Sequence, residues 1–217
     1  MITLFGNLES GNVHKVQLIL KFCEKQFTRV DVSQVRSETS QPGFLSINPI
    51  GKIPAIITES GDVLSESNAI LYYFGSDTSL WPAGRRNQAE VLRWMFFEQY
   101  SHEPTLSVIR YLKNFTEHPD QHSEQIKLLT PKAERALDTL ENRLGKSAWV
   151  AASTCTIADY ALYPYTKLAN EAGFELRGYP AIESWLGHLE SQPRFIPLNE
   201  EGAVHVATFE EYFDKPV

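Results

Sequence analysis

The spacing of apolar residues changes near residue 80, and this change constrains the fold more than any other feature of the sequence. Before residue 80, short apolar runs of strand type alternate with runs that have helical spacing. After it, apolar residues recur only at the spacing of one helix face. The chain is therefore predicted to form a mixed α/β domain followed by an all-helical domain.

The first domain is predicted over residues 1–79, and a linker over 80–86 follows it. Its strands are predicted at Ile2–Phe5, 27–32, 53–57 and 63–64. One helix follows the first strand, and a second helix is predicted from a cap at Ser65 to Phe74. A β-α-β unit, an irregular link and a β-β-α unit then make a small mixed sheet with helices packed on it.

The second domain is predicted over residues 87–217. Its helices are predicted over 86–115 with a kink at Pro104, over 126–144 with Gly145 in the C′ position, over 156–172, and from Pro180 onwards. Thr156 and Asp159 have the spacing of a capping box, which predicts a role in folding rather than in chemistry. The chain beyond Pro197 has no clear pattern.

Composition and charge narrow the class of protein. Hydrophobic residues make up 42% of the 217 residues, which is typical of a globular chain. A net charge of −7 argues against nucleic acid as the partner. The sequence has neither an apolar run of membrane-spanning length nor a signal peptide, so we expect a cytoplasmic protein without a membrane partner.

The potential metal ligands and thiols are few. The chain has two cysteines, Cys23 and Cys155, and they do not form a C-x-x-C pair. Cys23 lies on the apolar stripe of the first helix, where we expect a buried hydrophobe rather than a nucleophile. The six histidines show no paired spacing, so no metal site is expected.

Ser10 and Asn12 lie where the first strand gives way to the first helix. A helix start has unpaired backbone N–H groups and the positive end of the helix dipole. A thiolate, phosphate or carboxylate would be held at such a place. The alternative is that Ser10 or Asn12 is an ordinary N-cap residue.

Glu66 and Ser67 lie at a second change from strand to helix. Ser67 and its backbone N–H are suited to a carboxylate, and Glu66 beside it is suited to an ammonium group. A ligand with a free α-amino acid end would satisfy both, and the alternative is a capped helix with an exposed Glu.

The run Lys52-Ile53-Pro54 opens a predicted strand, and a cis peptide bond is considered before Pro54. A residue before a cis-proline exposes its backbone N–H and C=O, so a peptide-like ligand would pair with Ile53 as an added strand does. The alternative is a proline that only shapes the turn. An amino-acid head, an extended peptide backbone and a thiolate are the parts of glutathione.

The chain resembles the cytosolic glutathione transferases over essentially its full length. The runs that carry the resemblance are Asn48-Pro49-Ile50-Gly51-Lys52-Ile53-Pro54, Glu66-Ser67-Asn68-Ala69-Ile70 and Thr156-Ile157-Ala158-Asp159. The run Ser10-Gly11-Asn12 is similar to the start of bacterial-type members that have an Asn two residues after a Ser or Thr. The resemblance implies a thioredoxin-like N-terminal domain and an all-α C-terminal domain.

The resemblance also implies roles for single residues. Either Ser10 or Asn12 would donate a hydrogen bond to the glutathione sulfur. Other residues would bind the rest of glutathione: Thr39, Lys52, Ile53, Pro54, Glu66 and Ser67. The electrophile would bind between the domains, and its predicted contacts are Phe97, Tyr100, His102 and Tyr111. Taken singly, His102 and Arg110 are expected on a solvated face.

The function that the resemblance implies is transfer of glutathione to small electrophiles, as in detoxification, by a homodimer that needs glutathione as co-substrate and no metal. Two alternatives stay open on the same fold. One is a glutathione-dependent peroxide or disulfide reductase, because both reactions need only an activated glutathione thiolate. The other is a non-catalytic module that binds partner proteins, although such a module has no chemical need for Ser10, Asn12, Glu66 and Ser67.

Overall fold

A computed structural model describes residues 1–213, and these residues form two compact units. Unit 1 contains Met1–Ser76 together with the chain from Pro193 onwards, and unit 2 spans Asp77–Gln192. The prediction of an α/β domain followed by a helical one is confirmed. The predicted extent 87–217 of the second domain is wrong at its end, because the chain after Gln192 returns to unit 1.

The sheet of unit 1 contains five strands within the described residues. They are β1 (Ile2–Phe5), β2 (Phe27–Val30), β3 (Ala55–Ile57), β4 (Val63–Ser65) and β5 (His205–Ala207). Their order is β4-β3-β1-β2-β5. β1 and β5 run parallel to β2, whereas β3 runs antiparallel to β1 and to β4. Four of these strands were predicted, although the strands at 27–32 and 53–57 are shorter than expected.

The α-helices of residues 1–213 are numbered along the chain. They are α1 (Gly11–Phe22), α2 (Pro42–Ile47), α3 (Ser67–Gly75), α4 (Arg85–Phe97), α5 (Glu103–Asn114), α6 (Ser123–Leu144), α7 (Ile157–Lys167), α8 (Ala169–Ala172), α9 (Pro180–Glu190) and α10 (Phe209–Phe213). Helices α1, α2, α3 and α10 belong to unit 1, and α4 to α9 form unit 2.

The core of unit 1 is made by apolar side chains of the sheet and of the helices packed on it. Phe5 of β1 and Phe44 of α2 are both fully buried, and their rings meet edge to face at 6.3 Å. Helix α10 adds Tyr212, whose ring lies 5.1 Å from that of Phe5. The C-terminal stretch therefore contributes both a strand and a helix to the domain that carries the predicted glutathione site.

The long helical segment of unit 2 is not one regular α-helix, and its interruption lies just before Pro104. One turn of π-helix over Glu98–His102 joins α4 to α5, and Pro104 stands in the first turn of α5. The predicted helix over 156–172 is also divided, into α7 and α8, and Gly173 ends it in the left-handed region at φ 96°. The prediction that Gly145 is a C′ glycine is wrong, because Gly145 is the C-cap residue of α6 and has a right-handed φ of −62°.

Candidate functional site

Ser10 is the N-cap residue of α1, which was one of the two interpretations of its position. Its backbone is extended, and its Oγ accepts a hydrogen bond of 3.3 Å from the Val13 N–H. A serine hydroxyl has one proton and two lone pairs, so Ser10 still has its own proton to donate. Capping uses the Ser10 oxygen as an acceptor, whereas a bound thiolate would use the Ser10 hydroxyl as a donor. The two roles are therefore chemically compatible.

Gly6 allows the loop before Ser10 to approach its neighbours closely. Its φ is +148°, and a Cβ at this position would lie 2.3 Å from Val13 Cγ2 and 3.4 Å from Ile53 Cβ. Any side chain would therefore displace the loop that carries Ser10 or the first turn of α1. The close approach also shows that this loop lies beside Ile53.

The second helix start differs from its prediction by one residue. Ser65 pairs with Ala55 as the last residue of β4, so the prediction that Ser65 caps α3 is wrong. Glu66 stands in the cap position instead, with an unusual φ of 66° and ψ of 109°. A non-glycine residue in a sparsely populated region costs about 1–3 kcal/mol and is concentrated at functional sites. The Glu66 side chain is exposed, whereas the next residue, Ser67, is buried and begins α3.

A hydrogen bond joins the two predicted anion sites. Ser67 Oγ donates to Asn12 Oδ1 at 3.3 Å, across 55 residues of sequence. The N-terminus of α1 and the N-terminus of α3 therefore meet at one place, where the Asn12 amide oxygen faces the Ser67 hydroxyl. Both helices lie wholly within the described residues, and neither has an acidic residue in its first turn. Their positive dipole ends consequently favour an anion there.

The third predicted stretch lies beside the first two. The Ile53–Pro54 peptide bond is cis, and Ile53 is almost fully buried, whereas Lys52 is exposed. Asn48 Nδ2 donates to the Lys52 carbonyl at 2.7 Å and so fixes the turn that precedes Ile53. The loop before Ser10 reaches this stretch at Gly6, so the structure brings Ile53 close to the loop for which the sequence predicts thiolate binding.

Thr39 is buried in a short 3₁₀ turn over Glu38–Ser40. Its carbonyl oxygen lies next to Gly51, since a Cβ on Gly51 would be 3.2 Å away from it. Gly51 has a φ of 67°, which favours glycine at this turn. Thr39 is therefore close to the turn of Lys52, as expected for residues that bind the same end of a ligand.

The predicted contacts of the electrophile lie on α4, α5 and the π-helical turn of unit 2. Tyr100 is 88% exposed, and the ring of Tyr111 stacks on that of Phe115 at 6.2 Å. Phe97 and His102 come together, with ring centroids 6.5 Å apart. His102 is fully buried, and its Nε2 lies 2.9 Å from Thr166 Oγ1.

The expectation of a solvated face is wrong for both His102 and Arg110. Arg110 is buried and forms an ion pair of 2.6 Å with Glu171, and its guanidinium lies over the Phe115 ring. The polar partner of each side chain lies on another helix of unit 2. His102 contacts Thr166 of α7, and Arg110 contacts Glu171 of α8. Helical spacing alone does not reveal such partners.

Both cysteine thiols have a raised pKa, which disfavours the thiolate that a nucleophile needs. Burial raises the pKa of the Cys23 thiol, which donates to the Phe74 carbonyl. Burial also raises the pKa of Cys155 well above its usual value, and the nearby Asp159 carboxylate adds to this effect. Residues 1–213 contain no cluster of His, Cys, Asp and Glu side chains able to hold a metal ion. Within the same residues, every helix is too short or too polar to cross a membrane.

Two residues that were not predicted at the site, Asn7 and Arg29, hold the loop that carries Ser10. Asn7 Oδ1 accepts a hydrogen bond of 3.1 Å from the Ser10 N–H, and Asn7 Nδ2 donates to the Val32 carbonyl at 3.1 Å. The buried Arg29 donates to the Gly6 carbonyl at 2.8 Å. An Arg inside a short apolar strand is the only signal in the sequence for the second of these contacts.

Two family models match the chain. The family model "Glutathione S-transferase, N-terminal domain" matches residues 1–76, and "Glutathione S-transferase, C-terminal domain" matches residues 104–193. The disulfide-bond oxidoreductase YfcG of Escherichia coli strain K12 is 30% identical over 189 residues, which cover 84% of this chain and 87% of YfcG.

Solved structures are similar over both units. A glutathione S-transferase from Pseudomonas fluorescens Pf-5 is 36% identical with a TM-score of 0.89, and the match covers 92% of this chain and 99% of that one. A glutathione S-transferase from Xanthobacter autotrophicus Py2 is 35% identical with a TM-score of 0.88, over 92% and 97% of the two chains. The chain belongs to the glutathione S-transferase family.

Proposed function

We propose that the protein binds glutathione and activates its thiol for attack on small electrophiles. The hydrogen bond between Ser67 and Asn12 carries this proposal, because it joins two anion-favouring helix starts at one place. Glutathione carries a thiol and a terminal carboxylate on neighbouring residues, so a single molecule supplies one group to each helix. The family assignment supports the same ligand.

Ser10 is proposed as the donor to the sulfur. A free thiol has a pKa of about 8.5, and a hydrogen bond to a charged group contributes roughly 1.5–3 kcal/mol. At about 1.36 kcal/mol per unit, this bond lowers the pKa of the thiol by roughly one to two units. The N-terminus of α1 lowers it further, so the bound sulfur is largely a thiolate near neutral pH. Asn12 is the alternative donor, through the NH₂ of the amide whose oxygen accepts from Ser67.

The remaining contacts follow the parts of the ligand. Ser67 and its backbone N–H, with the exposed Glu66, hold the carboxylate and ammonium of the γ-glutamyl head. The main chain of Ile53, beside the cis Pro54, pairs with the cysteinyl residue. Thr39 and Lys52 lie at the glycyl end. For the electrophile, the proposed contacts are Phe97, Tyr100 and Tyr111. The predicted contact His102 is fully buried beside Phe97, so we propose that it supports the Phe97 ring and does not touch the substrate.

Binding is tested by calorimetry with glutathione. We expect the wild type to bind in the micromolar to low-millimolar range, and Glu66→Ala/Ser67→Ala to weaken binding at least about tenfold, because both head-group contacts are lost. Glu59→Ala/Ser60→Ala is the matched control, since it removes one Glu and one Ser side chain from the nearby hairpin turn, outside the proposed head-group site. Absence of binding by the wild type would refute every glutathione-dependent reaction and leave a non-catalytic module.

Disulfide reduction is the second proposed function, and the similarity to the disulfide-bond oxidoreductase YfcG favours it. Here the glutathione thiolate attacks the glutathionyl sulfur of a mixed disulfide. The new S–S bond gives glutathione disulfide, the original S–S bond breaks, and the other sulfur leaves as a thiolate that takes up a proton. The raised pKa values of Cys23 and Cys155 argue against attack by the protein's own thiols.

Two substrates separate these reactions. Turnover of chlorodinitrobenzene with glutathione reports a new thioether bond and released chloride. Turnover of a glutathione–mercaptoethanol disulfide reports exchange alone. A transferase acts on the first substrate, and a protein that acts only on the second is a reductase.

A further inference from the structure

Arg29 connects the C-terminal stretch to the loop that carries Ser10. Only 6% of its side chain is exposed, and its Nη1 donates to the Gly6 carbonyl at 2.8 Å and to Asp31 Oδ1 at 2.6 Å. Its Nε and Nη2 both meet Glu201 Oε2, at 2.9 and 2.8 Å. Arg29 and Glu201 are 172 residues apart in sequence. One guanidinium therefore holds a carboxylate of the C-terminal stretch and a carbonyl of the site loop.

The loop itself has a second attachment close to Ser10. The Asn7 side chain bridges the Ser10 N–H and the Val32 carbonyl, with both bonds at 3.1 Å. The Gly6 N–H donates to the Val30 carbonyl at 3.0 Å. Because the loop is tied to the β2 segment at Gly6 and at Asn7, its position follows the position of that segment and of Arg29.

Glu201 is itself held in place by the chain around it. The next residue, Gly202, donates its N–H to Gln17 Oε1 of α1 at 3.0 Å, in a buried position. A few residues further on, β5 pairs with β2 in parallel register. Glu201 therefore directly precedes two attachments of the chain to unit 1, at Gly202 and at β5.

Arg29 belongs to a chain of ion pairs that contains a second arginine and three carboxylates. Asp31 also meets Arg36 at 2.6 Å, and Arg36 in turn pairs with the buried Glu38 at 2.6 Å. Burial alone would raise the pKa of Asp31, but hydrogen bonds from Arg36 and Arg29 lower it overall. Asp31 is therefore ionised at neutral pH, and Glu201 provides the second carboxylate on the other side of the guanidinium.

Such a network specifies geometry more than it adds stability. Replacing a buried ion pair by apolar residues is often neutral for stability, since desolvation offsets the attraction. The planar guanidinium, in contrast, fixes the directions of its donors and thus the place of each acceptor. The acceptor that matters for chemistry is Gly6, which lies four residues before Ser10.

We propose that Glu201 and Arg29 are positioning residues for thiol activation, which they support by holding the Gly6–Ser10 loop in register with the N-terminus of α1. This proposal rests on the proposed function, because it assigns the C-terminal stretch a part in the activity of the Ser10 site. Neither residue touches the sulfur. Glu201 acts through Arg29, and Arg29 acts through the Gly6 carbonyl.

The experiment compares Glu201→Ala with Glu200→Ala, a neighbouring carboxylate outside the Arg29 contacts. For Glu201→Ala we expect kcat/KM to fall about three- to tenfold at pH 7, and the acidic limb of its pH profile to rise by about half a unit to one unit. KM for glutathione should change less than about twofold, because the head-group contacts stay. Glu201→Gln, which keeps an acceptor oxygen, should recover most of the rate, and Glu200→Ala should match the wild type.

A second readout does not depend on turnover. Hydrogen exchange of the Ser10 amide, followed by NMR, should be faster in Glu201→Ala than in Glu200→Ala, because the loop loses one of its attachments. A Glu201→Ala protein that is less stable but has the wild-type pH profile and Ser10 exchange rate would show a purely structural role and overturn the proposal. If the wild type neither binds glutathione nor turns over, the proposed function fails, and the Ser10 exchange rates alone decide whether the loop is held by Glu201.

Discussion

Ser10 illustrates how one side chain combines a folding role with a proposed chemical role. Its Oγ caps α1 through Val13, and its proton is proposed to go to the sulfur. We expect Ser10→Ala to lower kcat/KM about 10- to 100-fold, since a hydrogen bond to a charged group is worth roughly 1.5–3 kcal/mol. The loss of the cap should lower the free energy of unfolding by about 1 kcal/mol as well. Steady-state kinetics and urea unfolding measure the two effects separately.

Asn12→Ala is the companion variant, because Asn12 is the alternative donor and the partner of Ser67. If Ser10 is the donor, Asn12→Ala should change KM for glutathione more than kcat, since it disturbs the head-group site. A variant of either residue with unchanged kcat/KM would exclude that residue from the thiol site. Unchanged values in both would contradict the mechanism.

The buried His14 is expected to make the free energy of unfolding depend on pH. Burial lowers the pKa of His14 from 6.5 to about 4. Between these values the unfolded chain binds a proton that the folded chain does not, so stability falls as the pH drops from about 6.5 towards 4. We expect this residue to account for a loss of about 2 kcal/mol between pH 7.5 and pH 5. Urea unfolding at several pH values measures it.

The matched pair for this test is His14→Gln and His118→Gln. His118 is exposed, so its variant should keep the wild-type pH dependence, whereas His14→Gln should flatten it. The comparison uses the slope with pH, so a constant loss of stability in His14→Gln does not affect it. An equal slope in all three proteins would show that His14 is not the group responsible.

At the scale of elements, the N-terminus of α7 shows which contacts a sequence reveals. Thr156 and Asp159 were predicted as a capping box, and the structure confirms it: the Thr156 N–H and Oγ1 donate to Asp159 Oδ2 at 2.8 and 2.9 Å. The other carboxylate oxygen accepts from the Val150 N–H and from Trp185 Nε1, each at 3.0 Å. Contacts within one turn follow from spacing, but contacts to Val150 and Trp185 depend on how the helices pack.

This difference can be measured in the free energy of unfolding. Asp159→Ala leaves several buried donors without an acceptor, and we expect a loss of at least about 3 kcal/mol. Thr156→Ala removes only the local cap and should cost about 1 kcal/mol. Chemical denaturation of both variants tests the ranking. Similar losses would mean that the long-range bonds of Asp159 contribute little.

The C-terminal strand shows where sequence reasoning stops. β1 and α1 were predicted because Gly6-Asn7 separates a short apolar run of strand type from apolar residues at helical spacing. β5 has three residues, two of them exposed, so it shows no alternation that marks a half-buried strand. Its pairing with β2 comes from the return of the chain to unit 1, which no local pattern encodes. Glu201 and Arg29 were missed for the same reason.

At the scale of the whole molecule, the exposed surface of unit 1 bears on the oligomeric state. Members of the family are commonly dimeric, and we propose that this protein is a homodimer. Unit 1 exposes apolar surface at one edge of its sheet: Val63 of the edge strand β4 is 46% exposed, and Tyr73 of α3 is 48% exposed. An exposed edge strand and neighbouring apolar side chains are a typical place for association with another chain.

Sedimentation velocity tests this proposal. We expect the wild type to sediment with twice the mass of one chain and Val63→Asp/Tyr73→Asp to shift towards the monomer, because two buried charges without partners oppose association. Leu128→Asp is the control, since Leu128 of α6 is 70% exposed in unit 2 and the proposed surface does not include it. A monomeric wild type would refute the homodimer. A dimer that persists in the double variant would place the interface elsewhere, while the Ser10 site, which is built within unit 1, would keep its predicted dependence on Ser10 in either state.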